Sequence, residues 1–227
     1  MLDERADRAV CNLEIGDSAV MRMPSSHLIV LGHPSADSFN AAVANRYAET
    51  VRASSQDAVV RDLYALGFDP LLTEAERKPG EADAPPDEVQ SELDLVIKSD
   101  VLCFVYPLWF GMPPAIITGY IDRVLGAGFR VDDLNRSPQG MLRGKKLAVI
   151  TTSGSKLKWL EEHGIWVSLR QSFDEYLKTV FGFAQCDHYH ADSVVNGLSS
   201  ADAERILFEV GEFARKVSAS AAALQRL

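Results

Sequence analysis

The sequence predicts an α/β protein of three layers, a five-stranded parallel sheet with helices on both faces. Three observations carry that expectation. Short apolar runs alternate with stretches of helical periodicity from His27 almost to the end of the chain. The run Val101-Leu102-Cys103-Phe104-Val105 is continuously apolar, as a strand covered on both faces must be. Beyond it, Ile116, Ile117, Tyr120, Ile121, Val124 and Leu125 recur at the spacing of one helix face.

Taken in order, His27 to Gly32 reads as the first strand. Ser38 can cap the next helix, whose face carries Val43, Tyr47 and Val51. Residues 58–63 read as the second strand, followed by loop to Pro85-Pro86, with an acidic stretch around Glu74 to Asp83. A helix from about Pro86 to Lys98 has proline near its first turn, where proline is tolerated. The third strand at 101–105 opens into Tyr106-Pro107-Leu108-Trp109-Phe110-Gly111-Met112-Pro113-Pro114, and a helix then runs from Pro113 to about Leu125. Residues 146–151 form the fourth strand, and loop extends to about Gly164 before a helix ending near Phe181. Gln185 to Ala191 supply the fifth strand, and Ile206, Val210, Phe213 and Val217 mark the closing helix. Five strands suit the flavodoxin-like order 2-1-3-4-5 at least as well as the six-strand dinucleotide-binding order. No repeat and no persuasive linker divides residues 27–227, which are expected to form one domain behind an N-terminal tail, residues 1–26.

Composition narrows the partners. With 227 residues, 47% of them hydrophobic, the chain can bury one full core. A net charge of -9 without a basic stripe argues against nucleic acid or an anionic membrane surface. Cys11, Cys103 and Cys186 are odd in number and widely spaced, so no disulfide framework is expected, which fits a reducing cytoplasm. The first 26 residues lack the apolar core of a signal peptide, and no segment reaches membrane-spanning length. A floppy tail, an over-called start and an arm on a partner subunit all stay open for those residues.

Three unusual loops follow strands one, three and four, and a parallel sheet puts all three on one edge, where ligands of such folds bind. His33-Pro34-Ser35-Ala36-Asp37-Ser38-Phe39-Asn40 offers hydroxyls and backbone N–H groups at a helix N-terminus, a place for a phosphate. Pro107, Leu108, Trp109 and Phe110 form a stiff aromatic wall suited to a flat, conjugated ligand. Thr151, Thr152, Ser153 and Gly154 are small and polar, so their backbone can approach a hydrogen-bonding edge. Singly, each has a plainer account: a helix cap, core anchors under a loop, a simple turn. Together they describe a flavin nucleotide site.

The chain also resembles a known family, the flavodoxin-fold NAD(P)H:quinone oxidoreductases or DT-diaphorases, whose bacterial relatives include modulators of drug activity and ancillary flavoproteins of potassium efflux. The resemblance runs from about Leu28 to Val217. It is carried by Gly32-His33-Pro34 with Ser38-Phe39-Asn40, by Asp62-Leu63-Tyr64-Ala65-Leu66-Gly67-Phe68-Asp69-Pro70, by Pro107-Leu108-Trp109-Phe110 with Pro114-Ala115-Ile116, by Ile121-Asp122-Arg123-Val124, and by Thr151-Thr152. It implies that His33, Phe39 and Asn40 hold the phosphate side of a flavin, FAD or else FMN. It implies that Pro107 to Phe110 pack along the isoalloxazine and that Thr151 to Gly154 bind its pyrimidine edge. It further implies ping-pong hydride transfer from NADH or NADPH to a quinone, in a homodimer with both sites at the interface.

The chain departs from that pattern. Ser153 stands where the family usually has glycine, and Thr118 where it often has lysine. Trp159 takes the place of a tyrosine, and His163 follows it by four residues, closer than in the mammalian members. Trp159 can donate a hydrogen bond but is no phenol acid. His163 is a candidate general acid, or else a surface-loop histidine beside Glu161 and Glu162. His188-Tyr189-His190 sets two imidazoles on one face of the fifth strand, where a half-exposed edge explains them better than a metal. Asp132-Asp133 and Lys145-Lys146 read as solvated charges. The functions in competition are a quinone reductase, a flavin-binding regulatory subunit of a partner such as an ion-efflux system, and a one-electron carrier.

Overall fold

The five strands, counted along the chain, lie in the order 2-1-3-4-5 with every pairing parallel, as the alternation of elements predicts. The computed structural model describes residues 24–77, 84–127 and 142–224. Most of the expected tail, the end of the acidic stretch and Asp132-Asp133 lie outside the described residues.

The strands are β1 (Ser26–Leu31), β2 (Asp57–Asp62), β3 (Val101–Pro107), β4 (Lys146–Thr152) and β5 (Gln185–Ala191). Helices α1 (Phe39–Ala53), α2 (Glu74–Arg77), α3 (Asp87–Lys98), α4 (Ala115–Tyr120), α5 (Leu157–Glu162), α6 (Ile165–Leu169), α7 (Tyr176–Phe181) and α8 (Ser200–Leu224) connect or follow them. Two π-helical segments, Ile121–Leu125 and Arg170–Glu175, continue α4 and α6.

Side chains alternate across each strand, so the sheet builds two cores. Leu102, Phe104, Tyr106, Leu147 and Val149 meet Val89, Ile117, Tyr120, Phe173 and Leu177 on one face. Val101, Cys103, Val105, Ala148 and Ile150 meet Val43, Tyr47, Val51, Val210 and Val217 on the other. β3 and β4 are buried along their whole length, whereas the outer strands β2 and β5 are only half-buried. Among the described residues no helix is long and apolar enough to cross a membrane.

Two local differences from the sequence reading matter for the site. β3 extends through Tyr106 and Pro107, which pair with Thr151 and Thr152. Proline is admissible at such a strand end, where no further ladder donor is needed. Residues 157–162, expected as loop, form α5. Its first N–H group, on Leu157, donates to Asp192 Oδ2 at 2.7 Å, a cap from 35 residues downstream that no local sequence signal announces. The acidic stretch likewise contains α2, where Glu76 N–H donates to Thr73 Oγ1 and Thr73 N–H donates back to Glu76 Oε2, a capping box.

Candidate functional site

The carboxyl ends of β1, β3 and β4 are neighbours, and their loops enclose a cavity of about 540 Å³. That lies within the range of small-molecule and cofactor sites. Its wall takes His33, Ser35, Ser38, Phe39 and Asn40 from the first loop, Pro107, Leu108 and Trp109 from the second, and Thr152, Ser153 and Gly154 from the third. Eleven of the residues singled out in the sequence thus meet in one place.

The first loop is shaped by its own polar groups. Ser35 N–H donates to His33 Nδ1 at 3.0 Å, which leaves His33 Nε2 as the nitrogen free to donate. Ser38 caps α1, its Oγ accepting from Ala41 N–H at 3.1 Å. Capping and cavity lining are both roles of Ser38, because the cap sits on the cavity wall. The first turn of α1 therefore presents its positive end and unpaired N–H groups to the cavity. Asn40, 4% exposed, donates to Thr152 Oγ1 at 3.0 Å and joins this loop to the end of β4.

The aromatic loop is a tight hairpin. Trp109 N–H donates to Met112 O at 3.0 Å, and Met112 N–H to Trp109 O at 3.1 Å. Between them Phe110 and Gly111 have φ of 53° and 79°, the left-handed pair of a type I′ turn. Leu108 N–H donates to Thr152 O at 2.7 Å, so the hairpin hangs from β4. This geometry divides the two rings. Trp109 turns toward the main cavity and lies 6.1 Å from the His33 ring, while Phe110 is fully exposed at the tip. Phe110 lines a second hollow of about 460 Å³ with Met112, Thr118, His163, Ile165 and Ser168.

Three other predicted residues lie apart from the main cavity. His163 lines the second hollow, its Nδ1–H donating to Trp159 O at 2.8 Å, which leaves Nε2 as the basic nitrogen. Trp159 stacks on His163 at 4.2 Å and is half-exposed. Thr151 is fully buried behind the wall, its hydroxyl between His188 and His190. Only the backbone of Thr151 is therefore available to the third loop.

The structure adds Asp37 and the segment Val194, Val195 and Asn196 to the cavity wall. Val194 N–H donates to Ser153 O at 2.8 Å, which closes the loop after β5 against the loop after β4. The sheet-edge principle pointed there as well, since β5 is the next neighbour in the predicted order, but the loop has no aromatic or glycine-rich marker. Among the described residues, no group of histidine, cysteine and acidic side chains is arranged to hold a metal, and His188 and His190 are instead engaged in hydrogen bonds.

Known proteins resemble this chain in sequence and fold. Residues 25–210 match the family Flavodoxin_2, described as a flavodoxin-like fold. An uncharacterized NAD(P)H oxidoreductase of Haemophilus influenzae is 36% identical over 145 residues, which cover 63% of this chain and 72% of that one. The NAD(P)H dehydrogenase (quinone) 1 of Rattus norvegicus is 34% identical over 147 residues, 56% of this chain. The chain spans about half of that relative, 53% of its length. A solved structure of an NAD(P)H:quinone oxidoreductase from Methanothermobacter marburgensis shares the fold with a TM-score of 0.72 at 24% identity, over 86% of this chain and 96% of that one.

Proposed function

The chain belongs to the flavodoxin-like fold family, and on that premise we propose that it is a flavin-dependent NAD(P)H dehydrogenase that reduces quinones. The observation that carries the reading is the convergence of three loops on one cavity, with a cation-like helix end, an indole wall and a polar rim in sequence around it. The donor set fits a flavin nucleotide. The first turn of α1 and His33 Nε2–H suit its phosphate, Trp109 and Leu108 suit the flat ring, and Ser153 and Gly154 suit the pyrimidine edge. A bound flavin supplies the reversible two-electron chemistry, accepting a hydride and passing it on.

The chain's own part is to hold and orient. Leu108 and Thr152 fix the aromatic hairpin at a set height above the sheet edge. Trp109 walls one side of the cavity. His163, with Nδ1–H anchored on Trp159 O, faces the second hollow as a proton donor or acceptor for the substrate that docks beyond Phe110. NAD(P)H and then the quinone docking at this same place give ping-pong turnover. The exposed side chains of Phe110 and Met112 at the turn are the face on which a second copy of the chain closes the site, making a homodimer.

Purified protein tests the reading directly. A yellow protein with flavin absorption bands, from which FAD or FMN is released and identified, and NADH or NADPH oxidation with a simple quinone are the expected results. A chain that takes up neither flavin on reconstitution overturns it.

A further inference from the structure

Behind the cavity wall a row of hydrogen bonds links the sealed interior to the rim. Asp174, with no exposed side-chain surface, accepts from His188 Nδ1–H at 2.7 Å through Oδ2. His188 Nε2 is 2.7 Å from Thr151 Oγ1, which is 2.8 Å from His190 Nδ1. His190 Nε2 is 3.1 Å from Ser153 Oγ, and Ser153 lines the cavity. Ser153 Oγ also lies 2.7 Å from Ser155 O, a carbonyl that can only accept. The Trp166 ring covers both imidazoles, at 4.9 Å from His188 and 5.0 Å from His190.

A hydroxyl has one hydrogen, so Thr151 can donate to only one of its two imidazoles. Two arrangements satisfy every contact between Asp174 and Ser153. In the first, Ser153 donates to His190 Nε2, His190 Nδ1–H donates to Thr151, and Thr151 donates to His188 Nε2. In the second every one of these bonds is reversed, and Ser153 donates to Ser155 O. The second holds one more proton than the first, and the extra proton makes His188 an imidazolium against Asp174. His190 carries one proton in both.

We propose that Asp174, His188, Thr151, His190 and Ser153 form a proton relay that carries one proton between the cavity and a store on His188. The inference rests on reading the cavity as the redox site. Reduction of a quinone by NAD(P)H moves one hydride with its electron pair and takes up one further proton, giving NAD(P)+ and the hydroquinone. The relay delivers that proton. Ser153 Oγ gives its hydrogen to the group it faces in the cavity, on the proton's path to the acceptor, and takes one from His190 Nε2. His190 Nδ1 takes that of Thr151, and Thr151 takes that of His188 Nε2. His188 is left neutral, and solvent reloads the row through the cavity.

The surroundings favour a single store. Burial and the neighbouring His188 push His190 down to about 4, so it stays neutral and passes protons without keeping one. Asp174 and Arg170 face His188 from the π-helical segment, paired to each other at 2.6 Å. Asp192 bears on His190 from beyond β5. Tyr106 from β3 and Cys186 from β5 also face Asp174, and burial keeps both protonated. The carboxylate of Asp174 is thus the partner that a charged His188 requires.

The test needs no cofactor. Histidine 15N NMR of the full cofactor-free chain, followed through an acid titration, should show the His190 proton move from Nδ1 to Nε2 as the extra proton enters the row at His188. Thr151→Val should abolish that coupling, and Thr151→Ser should restore it, which separates the hydroxyl from the fold. A His190 tautomer that stays fixed while wild-type His188 titrates overturns the relay, whether or not the chain binds flavin. In the flavin-loaded enzyme, T151V should lower the rate of quinone reduction by about 10- to 100-fold and flatten its acid-side pH profile. An unchanged profile overturns the relay even where flavin uptake is normal, whereas absent flavin uptake would sink the proposed function instead.

Discussion

Asn40 donates to Thr152 Oγ1 across 112 residues of sequence, and this 3.0 Å bond ties the loop after β1 to the end of β4. Both residues are buried on the cavity wall, which shields the bond from bulk water. The bond therefore sets the spacing between the phosphate side of the proposed site and its polar rim.

Asn40→Ala leaves the Thr152 hydroxyl buried without its donor, which costs about 1–3 kcal/mol. In a domain of this size that lowers Tm by roughly 2–10 °C. Flavin affinity should fall with it, because the two loops lose their fixed separation. Thermal unfolding with and without added flavin checks both effects. A variant as stable as the parent would show that the bond contributes nothing net.

Arg123 is a buried cation over the Phe68 ring, on the face of the sheet that carries Leu102 and Phe104. It is 4% exposed and pairs with Glu76 Oε1 at 2.7 Å and Glu88 Oε1 at 2.8 Å, and donates to Asp69 O. Arg123→Ala strands Glu76, whose side chain is 9% exposed, without its counter-charge. Removing one partner of a buried pair typically costs about 3–5 kcal/mol; the loss here should lie toward the low end, because Glu88 remains half-exposed. Denaturant unfolding measures it. Arg123→Lys recovers only part of the loss, since an ammonium cannot reproduce the guanidinium fork.

Acid should unfold the protein earlier than its carboxylates require. His27 is buried between Tyr47 OH at 3.0 Å and Gln56 Oε1 at 2.9 Å, and burial pushes its pKa down to about 4. The unfolded chain protonates this ring near 6.5, so stability is complete above that pH and is lost as pH falls toward 4. Between pH 7 and pH 5 the loss amounts to about 2 kcal/mol for His27 alone. His190, also held near 4, acts in the same direction. A pH series of denaturant unfolding should show the slope, and His27→Gln should flatten it.

Much of this architecture was legible because it follows from local pattern. The apolar run at 101–105 is of the sort a doubly covered strand needs, and the alternation of elements put three loops on one edge of a parallel sheet that suited the order 2-1-3-4-5 at least as well as the six-strand one. What sequence pattern could not show are relationships made across the fold. α5 is capped by Asp192, far along the chain. Thr151 turns its side chain to His188 and His190 and not to the cavity, a choice set by the parity of β4 within its register to β5. Phe110 leaves the wall that Trp109 joins because a two-residue turn reverses the backbone between them. Adjacent letters in a sequence carry no sign of that reversal unless the turn type is known.

The separation of the two rings yields the sharpest prediction. Trp109 lines the main cavity, and Phe110 stands fully exposed over the second hollow. Trp109→Ala should weaken flavin binding about tenfold or more, since loss of an aromatic contact of this kind is worth about 0.5–1.5 kcal/mol beyond the buried area it also removes. Phe110→Ala should leave flavin affinity within about twofold while raising the KM for the quinone. Phe110→Gly goes further, because it also relieves a left-handed backbone that costs a side chain about 1 kcal/mol. That variant should hold the hairpin more stably than the parent and still reduce quinones poorly. Fluorescence titration of flavin into the cofactor-free variants, followed by steady-state kinetics, separates the two roles. Equal loss of flavin affinity in W109A and F110A would mean that both rings face one ligand, and the division made by the turn would not survive binding.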